Sequence, residues 1–274
     1  MKYGDILAAS LAICLSTALV VTFAFMHPEY MAVTLIVYFL SIIITGTLVF
    51  IISMIYNKRK TSVDTADLEA VMGNYPEVRR AIVAATGVAA DGVVSRLQAL
   101  GLELLEMNSE TPVPIRNAYR TPQTLGMDRL AAAVAAVKIY GEDALIVDFG
   151  TAITIDLVEG GVFKGGNISP GMRTRFRALH DYTSRLPECE ATDEVLEVGT
   201  STVEAIEQGV MQGIVNEIEG YISAFLSKNV KLSIIFTGGD AKFFAKRIKN
   251  TIFAKCDLVI CGLNTILDYN AKVE

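Results

Sequence analysis

Residues 144–158 read ALIVDFGTAITIDLV, and their reading decides the fold. The apolar run Ala144–Val147 leads into Asp148, a glycine follows at Gly150, and hydroxyls follow at Thr151 and Thr154. Such a run is a buried strand, and the apolar alternation after Thr151 makes its hairpin partner. A strand ending in Asp-x-Gly-Thr sets a carboxylate beside a turn where backbone comes close to a ligand. Gly150 permits that approach, and Thr151 offers a hydroxyl and an N–H to a phosphate. Asp148 can hold a cation, directly or through water. An ordinary strand-end turn carries the same residues, so the rest of the chain must decide.

Working outward, Gly160-Gly161 turns the chain back into a strand at Val162–Lys164. GGNISPG at 165–171 reads as a second glycine-rich turn, and a helix follows from Met172 to Tyr182. Thr202–Leu226 is a long helix opened by Ser/Thr caps. Ser233–Phe236 is a buried strand that ends in Thr237-Gly-Gly-Asp240, with a basic helix running on to Asn250. Upstream, a helix is expected at Asp67–Tyr75, a strand at Arg79–Thr86, a helix at Asp91–Leu100 capped by Asp91, and a strand at Leu102–Met107. Pro112–Pro122 holds three of the seven prolines and is a loop; Leu125–Tyr140 is an alanine-rich helix, buried or at an interface. Strands alternating with helices make this an α/β protein. Ligands of such sheets sit beyond the carboxyl ends of the strands, so the turns at 148–151, 165–171 and 237–240 are expected to converge on one ligand.

Composition narrows the function. A net charge of −6 and a pI near 5.1 argue against a nucleic-acid partner. Cys14, Cys189, Cys256 and Cys261 lack CxxC spacing, and with two histidines in the chain a zinc site is not expected. The mean hydropathy of +0.43 is high for a soluble protein, and the excess lies in the first sixty residues. Ile6–Met26 and Met31–Tyr56 are 21 and 26 residues long and carry no charge. Each exceeds the roughly 20 residues that span a bilayer core. Lys2 and Asn57-Lys-Arg-Lys60 flank them and His27-Pro-Glu-Tyr30 joins them. The expectation is a two-helix membrane hairpin through residues 6–56, with both ends and the remainder of the chain on the cytoplasmic side. Three regions follow: the hairpin at 1–60, a first domain at 61–140 and a second at 141–274.

Six motifs occur in order: Tyr119-x-Thr121-Pro122-x-x-Leu125-Gly126-x-Asp128-Arg129, DFGTAIT, GGNISPG, Thr183-x-x-Leu186-Pro187, Ser201-Thr202-x-x-Ala205-Ile206-x-x-Gly209, and TGGDA. From about Asp67 onward the chain closely resembles type III pantothenate kinase, the Bvg accessory factor type. The resemblance implies the acetate kinase/sugar kinase/Hsp70/actin fold of two ribonuclease-H-like domains, and phosphorylation of pantothenate by ATP, the first step of coenzyme A synthesis. It implies ATP with Mg²⁺ and a monovalent cation, K⁺ or NH₄⁺. By the same resemblance Asp128 is the general base that deprotonates the pantothenate hydroxyl, a role a carboxylate can fill in phosphoryl transfer. Gly126, Met127 and Arg129 line the pantothenate site, with Arg129 suited to its carboxylate, and Tyr119 and Thr202 add contacts. Asp148 holds the monovalent cation, Thr151 meets ATP phosphate, and Gly238 and Gly239 lie near the nucleotide. The plain alternatives are a surface ion pair for Asp128–Arg129 and a helix cap for Thr202. The family dimerises, and the alanine-rich Leu130–Val137 is a candidate for that contact.

The sequence departs from the family at one place. Members begin with a strand carrying Asp-x-Gly-Asn-Thr, which cradles the ATP phosphates and helps hold Mg²⁺, and residues 1–75 contain no such run. The first domain is therefore expected to be truncated, leaving the strands at 79–86 and 102–107 without their usual neighbours and an edge exposed. Three accounts follow. The chain is a kinase completed by another subunit, or a membrane-tethered pseudokinase that binds pantothenate or a partner without turnover. Alternatively the hairpin is joined to a kinase remnant by fusion, frameshift or gene-model error near residues 57–66. In the last case the protein is cytoplasmic.

Overall fold

The computed structural model describes residues 72–75, 77–84, 93–228, 231–250 and 253–271, together with the backbone at 18–24, 34–40, 49–52 and 90–92. Two compact units are present, one comprising 1–114, 121–135 and 259–274, the other 115–120 and 136–258.

In the first unit, β1 (Ala18–Ala24) and β2 (Thr34–Leu40) form an antiparallel pair. β3 (Val49–Ile52), β4 (Arg80–Val83) and, after helix α1 (Ala90–Ala99), β5 (Glu103–Glu106) form a parallel three-stranded sheet in the order β3-β4-β5. These strands correct the expected membrane hairpin. The apolar runs are rich in β-branched and aromatic residues (Val20, Val21 and Thr22; Ile36, Val37 and Tyr38; Val49 to Ile52). Hydrophobicity alone does not separate strand from helix in such runs. Among the described residues no helix is long and apolar enough to cross a membrane. The expected bare edge is corrected too, because β4 pairs with β3 through Val49↔Arg80 to Ile52↔Val83 on one side and with β5 on the other. α1 begins at Ala90, so Asp91 falls inside the helix rather than capping it. The helix expected at 67–75 is seen at 72–74 and has ended by Tyr75; residues 67–71, the polar stretch 61–69 and the 27–30 turn lie outside the described residues.

The second unit carries the larger sheet. It is built from β6 (Arg116–Asn117), β7 (Ala144–Phe149), β8 (Ala152–Glu159), β9 (Val162–Pro170), β10 (Ser233–Thr237) and β11 (Phe253–Ala254). Its helices are α3 (Met172–Asp181), α4 (Thr202–Leu226) and α5 (Ala241–Ala245). α2 (Met127–Tyr140) precedes β7 and α6 (Leu258–Asn270) ends the described chain. The sheet order is β11-β10-β7-β8-β9-β6. β7, β8 and β9 form an antiparallel meander, and β10 and β11 add parallel on the far side of β7. Omitting the two-residue β6, the order of strands is third, second, first, fourth, fifth, the ribonuclease-H-like arrangement that the resemblance implies.

Three local expectations change. GGNISPG is not a turn, because β9 runs through it to Pro170 with Ala152↔Pro170 in register. The glycines serve the strand instead. The register shifts at Leu157/Val158, and Gly165 takes φ +108° there, as at a bulge. The basic helix after β10 stops at Ala245 rather than Asn250. α6 was not expected at all. The alanines of α2 do not form a free face: Ala131 to Ala136 are 0–3% exposed within one chain, and a Cβ on Gly262 of α6 would overlap the Ala131 carbonyl. They are filled by the chain itself and so are unavailable to a second copy.

The core that supports the site lies on one side of β7. Leu145, Val147 and Phe149 alternate inward and meet Phe176 of α3 and Ile206, Val210, Ile214, Ile218 and Ile222 of α4. The four-residue spacing on α4 gives the single apolar stripe that a sheet-covering helix needs. Phe149 stacks on Phe244 and meets Phe236 edge-on, each with centroids 4.8 Å apart. The residue after Asp148 is thereby locked.

Candidate nucleotide and substrate site

In the second unit the three glycine-bearing segments meet. Thr237 at the end of β10 is in register with Asp148 at the end of β7. Gly238 follows at φ +90°, and a Cβ there would overlap Asp148 Oδ1 and come within 2.7 Å of both the Phe149 nitrogen and the Phe149 oxygen. Asp240 N–H donates to the Phe149 carbonyl at 3.2 Å. From the other direction the Gly171 N–H donates to the Thr151 carbonyl at 2.9 Å, and the Thr174 hydroxyl donates to the same carbonyl at 2.7 Å. A Cβ on Gly171 would overlap the Gly150 carbonyl. The strand ends can approach this closely only because these positions lack side chains. The result is a cradle that contains the half-buried Asp148, the exposed Thr151 and the exposed Gly239, whose missing Cβ faces open space.

Asp240 completes this turn. Burial pushes its carboxyl above the ordinary range, and Arg173 partly offsets that. Among the described residues there is no cluster of three metal-ligating side chains. A carboxylate beside a glycine cradle nonetheless fits a Mg²⁺–nucleotide, since Mg²⁺ is ordinarily held through one or two carboxylates and substrate phosphates.

Gly126 to Arg129 lie in the first unit. Leu125, Met127 and Arg129 are buried while Asp128, in the first turn of α2, is exposed. Asp128 Oδ1 accepts from the Arg129 backbone N–H at 2.9 Å. A Cβ on Gly126 would overlap that oxygen, so glycine is what allows the carboxylate to fold back over the turn. The Arg129 side chain is 7% exposed and not free, so this is not a surface ion pair.

Tyr119 and Thr202 belong to the second unit. Tyr119 lies over Gly165, where a Cβ would stand 3.2 Å from its ring, and beside Phe163 at 6.1 Å. Thr202 is the first residue of α4, and the cap is its neighbour. Ser201 Oγ accepts from Glu204 N–H at 3.2 Å, while Glu204 Oε2 accepts from the Ser201 and Thr200 amides and the Thr200 hydroxyl. This reciprocal capping box was legible in Ser201-x-x-Glu204, and it leaves Thr202 uncommitted to capping. Thr202, Ala205, Ile206 and Gly209 of α4 then line a groove of about 810 Å³ with Thr183 and Leu186. The Thr183 hydroxyl donates to the Leu179 carbonyl at 2.7 Å and sets the turn after α3.

Two further residues hold this region and had not been singled out. Arg175 donates to the Pro170 carbonyl (2.7 Å), to Ser169 Oγ (3.2 Å) and to Glu217, fastening the end of β9 to α3 and α4. Gln208, 7% exposed, donates to the Glu194 carbonyl at 3.0 Å and accepts from Leu196 N–H at 3.2 Å.

A family model described as type III pantothenate kinase matches residues 54–224. A protein named type III pantothenate kinase from Phocaeicola vulgatus is 44% identical over 208 residues, covering 75% of this chain and 86% of the relative. One of the same name from Bacteroides fragilis is 45% identical over 205 residues, with 74% and 84% covered. Another from Porphyromonas gingivalis is 42% identical over 196 residues, with 70% and 80% covered. With the glycine cradle on Asp148 and the exposed Asp128 of the LGMDR turn, these matches have one meaning: the chain belongs to the type III pantothenate kinase family.

Proposed function

We propose that this chain transfers the γ-phosphoryl group of ATP to the hydroxyl of pantothenate. The observation that carries this reading is the close packing of Gly238 on the Asp148 carboxylate and of Gly171 on the Gly150 and Thr151 carbonyls, in a chain of this family. Asp128 takes the proton from the attacking hydroxyl, a task for which its exposure suits it. Tyr119, Gly126, Met127, Arg129 and Thr202 orient pantothenate, with Gly126 also freeing the space Asp128 needs. Thr151 receives a phosphate by its hydroxyl and backbone N–H, and Gly238 and Gly239 lie beside the nucleotide. Asp148, a half-buried carboxylate at the end of β7, is the group offered to a monovalent cation. Mg²⁺ bound with ATP supplies charge neutralisation on the phosphates.

The test is ADP release that depends on pantothenate, with wild type compared against Asp128→Asn. The expected loss is on the order of 10²–10⁴-fold in kcat, the usual worth of a general base. A variant as active as wild type removes Asp128 from the mechanism. One observation favours a second reading, pantothenate binding without turnover: the sequence contains no Asp-x-Gly-Asn-Thr run. Pantothenate binding with no ADP release would support it. A homodimer remains part of the proposal, supported by the exposed Tyr182 and Val203, 89% and 45% accessible, on the helix ends that border the groove. A monomer in light scattering at assay concentration counts against it.

A further inference from the structure

Asp240 stands apart from the groups given roles above. It follows Gly238-Gly239 at the end of β10 and precedes α5, with φ −96° and ψ 5°. An Asp in this position ordinarily accepts a helix N–H with its side chain, and here no such bond is made. The backbone is fixed all the same. Its N–H donates to Phe149 O at 3.2 Å, and its carbonyl accepts from Phe243 and Phe244 at 3.1 and 3.2 Å. The half-buried carboxylate is therefore held on the turn that packs against Asp148. Among the described residues no hydrogen-bond donor reaches it and no ion pair forms within 4.0 Å. Arg173, the second residue of α3, acts on it electrostatically, and among the described residues it makes no ion pair either. A half-buried carboxylate with no protein donor is satisfied only by water on its open side, and a ligand seated in the adjoining cradle can replace that water with its own donors.

We infer that Asp240 accepts the hydroxyls of the nucleotide ribose. This rests on the kinase reading above. An ionised carboxylate is acceptor-only, with two oxygens able to take two neighbouring donors, and a vicinal diol presents just such a pair. Acidic residues fill this role in dinucleotide-binding folds. The phosphates, being anionic, are turned away from Asp240 toward the backbone donors around Thr151. The carboxylate thus orients the nucleotide as well as holding it.

The experiment measures calorimetric binding of ATP, 2′-deoxy-ATP, 3′-deoxy-ATP and the triphosphate of purine riboside, which lacks the base amino group. The full chain is compared with Asp240→Ala and with Asp240→Asn, which keeps one acceptor oxygen. Wild type is expected to bind ATP about tenfold more tightly than either deoxy analogue, the worth of a hydrogen bond to a charged group. Asp240→Ala should bring that ratio close to one, with Asp240→Asn between the two. A ratio that persists in Asp240→Ala, or is absent in wild type, overturns the assignment while ATP consumption leaves the kinase reading intact. Discrimination against the amino-less base alone, lost in Asp240→Ala, overturns it in favour of a base contact. No nucleotide binding by wild type overturns both.

Discussion

Gly238 lies so close against Asp148 that a Cβ at 238 would overlap Asp148 Oδ1. The same glycine sits at φ +90°. Two independent constraints, sterics and backbone conformation, therefore fix one residue type, whereas the next glycine is different. Gly239 has nothing within 4 Å of a built Cβ and an ordinary backbone.

The pair makes the first prediction. Gly238→Ala should cost about 2–4 kcal/mol, the sum of a left-handed backbone and an overpacked contact, and should displace Asp148. Gly239→Ala should leave the melting temperature near wild type and still raise the KM for ATP, because the proposed reading seats the nucleotide in its open space. Melting curves and ATP titrations of the two variants check this. Equal effects on stability would contradict the packing argument, and an unchanged ATP KM in Gly239→Ala would remove that residue from the nucleotide site.

Gly126 makes the second. The atom its Cβ would meet is the end of an exposed side chain, Asp128 Oδ1. That side chain can swing aside at little cost, so Gly126→Ala should change stability by no more than about 0.5 kcal/mol. The price falls on the reaction instead, since on the proposed mechanism the displaced carboxylate no longer meets the hydroxyl. A kcat drop of about tenfold or more, with the fold unchanged in circular dichroism, is the expected result. Unchanged kcat would mean that Asp128 acts from another rotamer.

How much of this was legible in the sequence depended on whether the signal was local. The β7–β8 hairpin and α4 follow from period and caps, and Thr202–Leu226 is the helix observed. The first sixty residues carry strands where length and hydrophobicity point to helices, because in such runs those two signals mask the β-branched composition. Gly165 and Gly166 were read as a turn, yet their backbone runs within a strand. A bulge opposite Leu157/Val158 and a close approach to Ile155 and Asp156 demand glycine there, and neither neighbour is near in sequence. The convergence of the three glycine segments was foreseeable from strand ends. Asp240's missing donor was not, because a sequence shows which groups are present and not which are left unpaired.

Glu204 gives the third prediction. Hydrogen bonds from the Thr200 backbone and hydroxyl, helped by weaker ones from Ser201, hold its carboxyl below the usual range against an opposing effect of desolvation. A lowered folded-state pKa means that the capping box contributes stability above the unfolded pKa and loses it as pH falls through the folded value. Glu204→Gln should therefore melt lower than wild type near neutral pH, and the difference should shrink on acidification below about pH 4. Melting curves across that range decide. A difference independent of pH would assign the box's contribution to geometry rather than charge.

Gln208 gives the last. Its amide reads the segment before α4 as a neighbouring strand would, donating to Glu194 O and accepting from Leu196 N–H. Arg247 adds a second tie through the Thr192 carbonyl at 3.0 Å. This segment runs directly into Ser201 and Thr202, so the position of Thr202 at the groove depends on a side chain two turns further along α4. Gln208→Leu preserves volume but deprives both backbone groups of their partner, at about 1–3 kcal/mol if they stay in place. Partly exposed, they can instead turn to water, and the segment then lifts. The expected signs are faster proteolysis between residues 190 and 200 and a raised pantothenate KM with kcat less affected. Gln208→Glu, which keeps the acceptor but loses the donor, should fall between. Unchanged proteolysis and KM in Gln208→Leu would show that Arg247 and the capping box suffice to hold the segment without it.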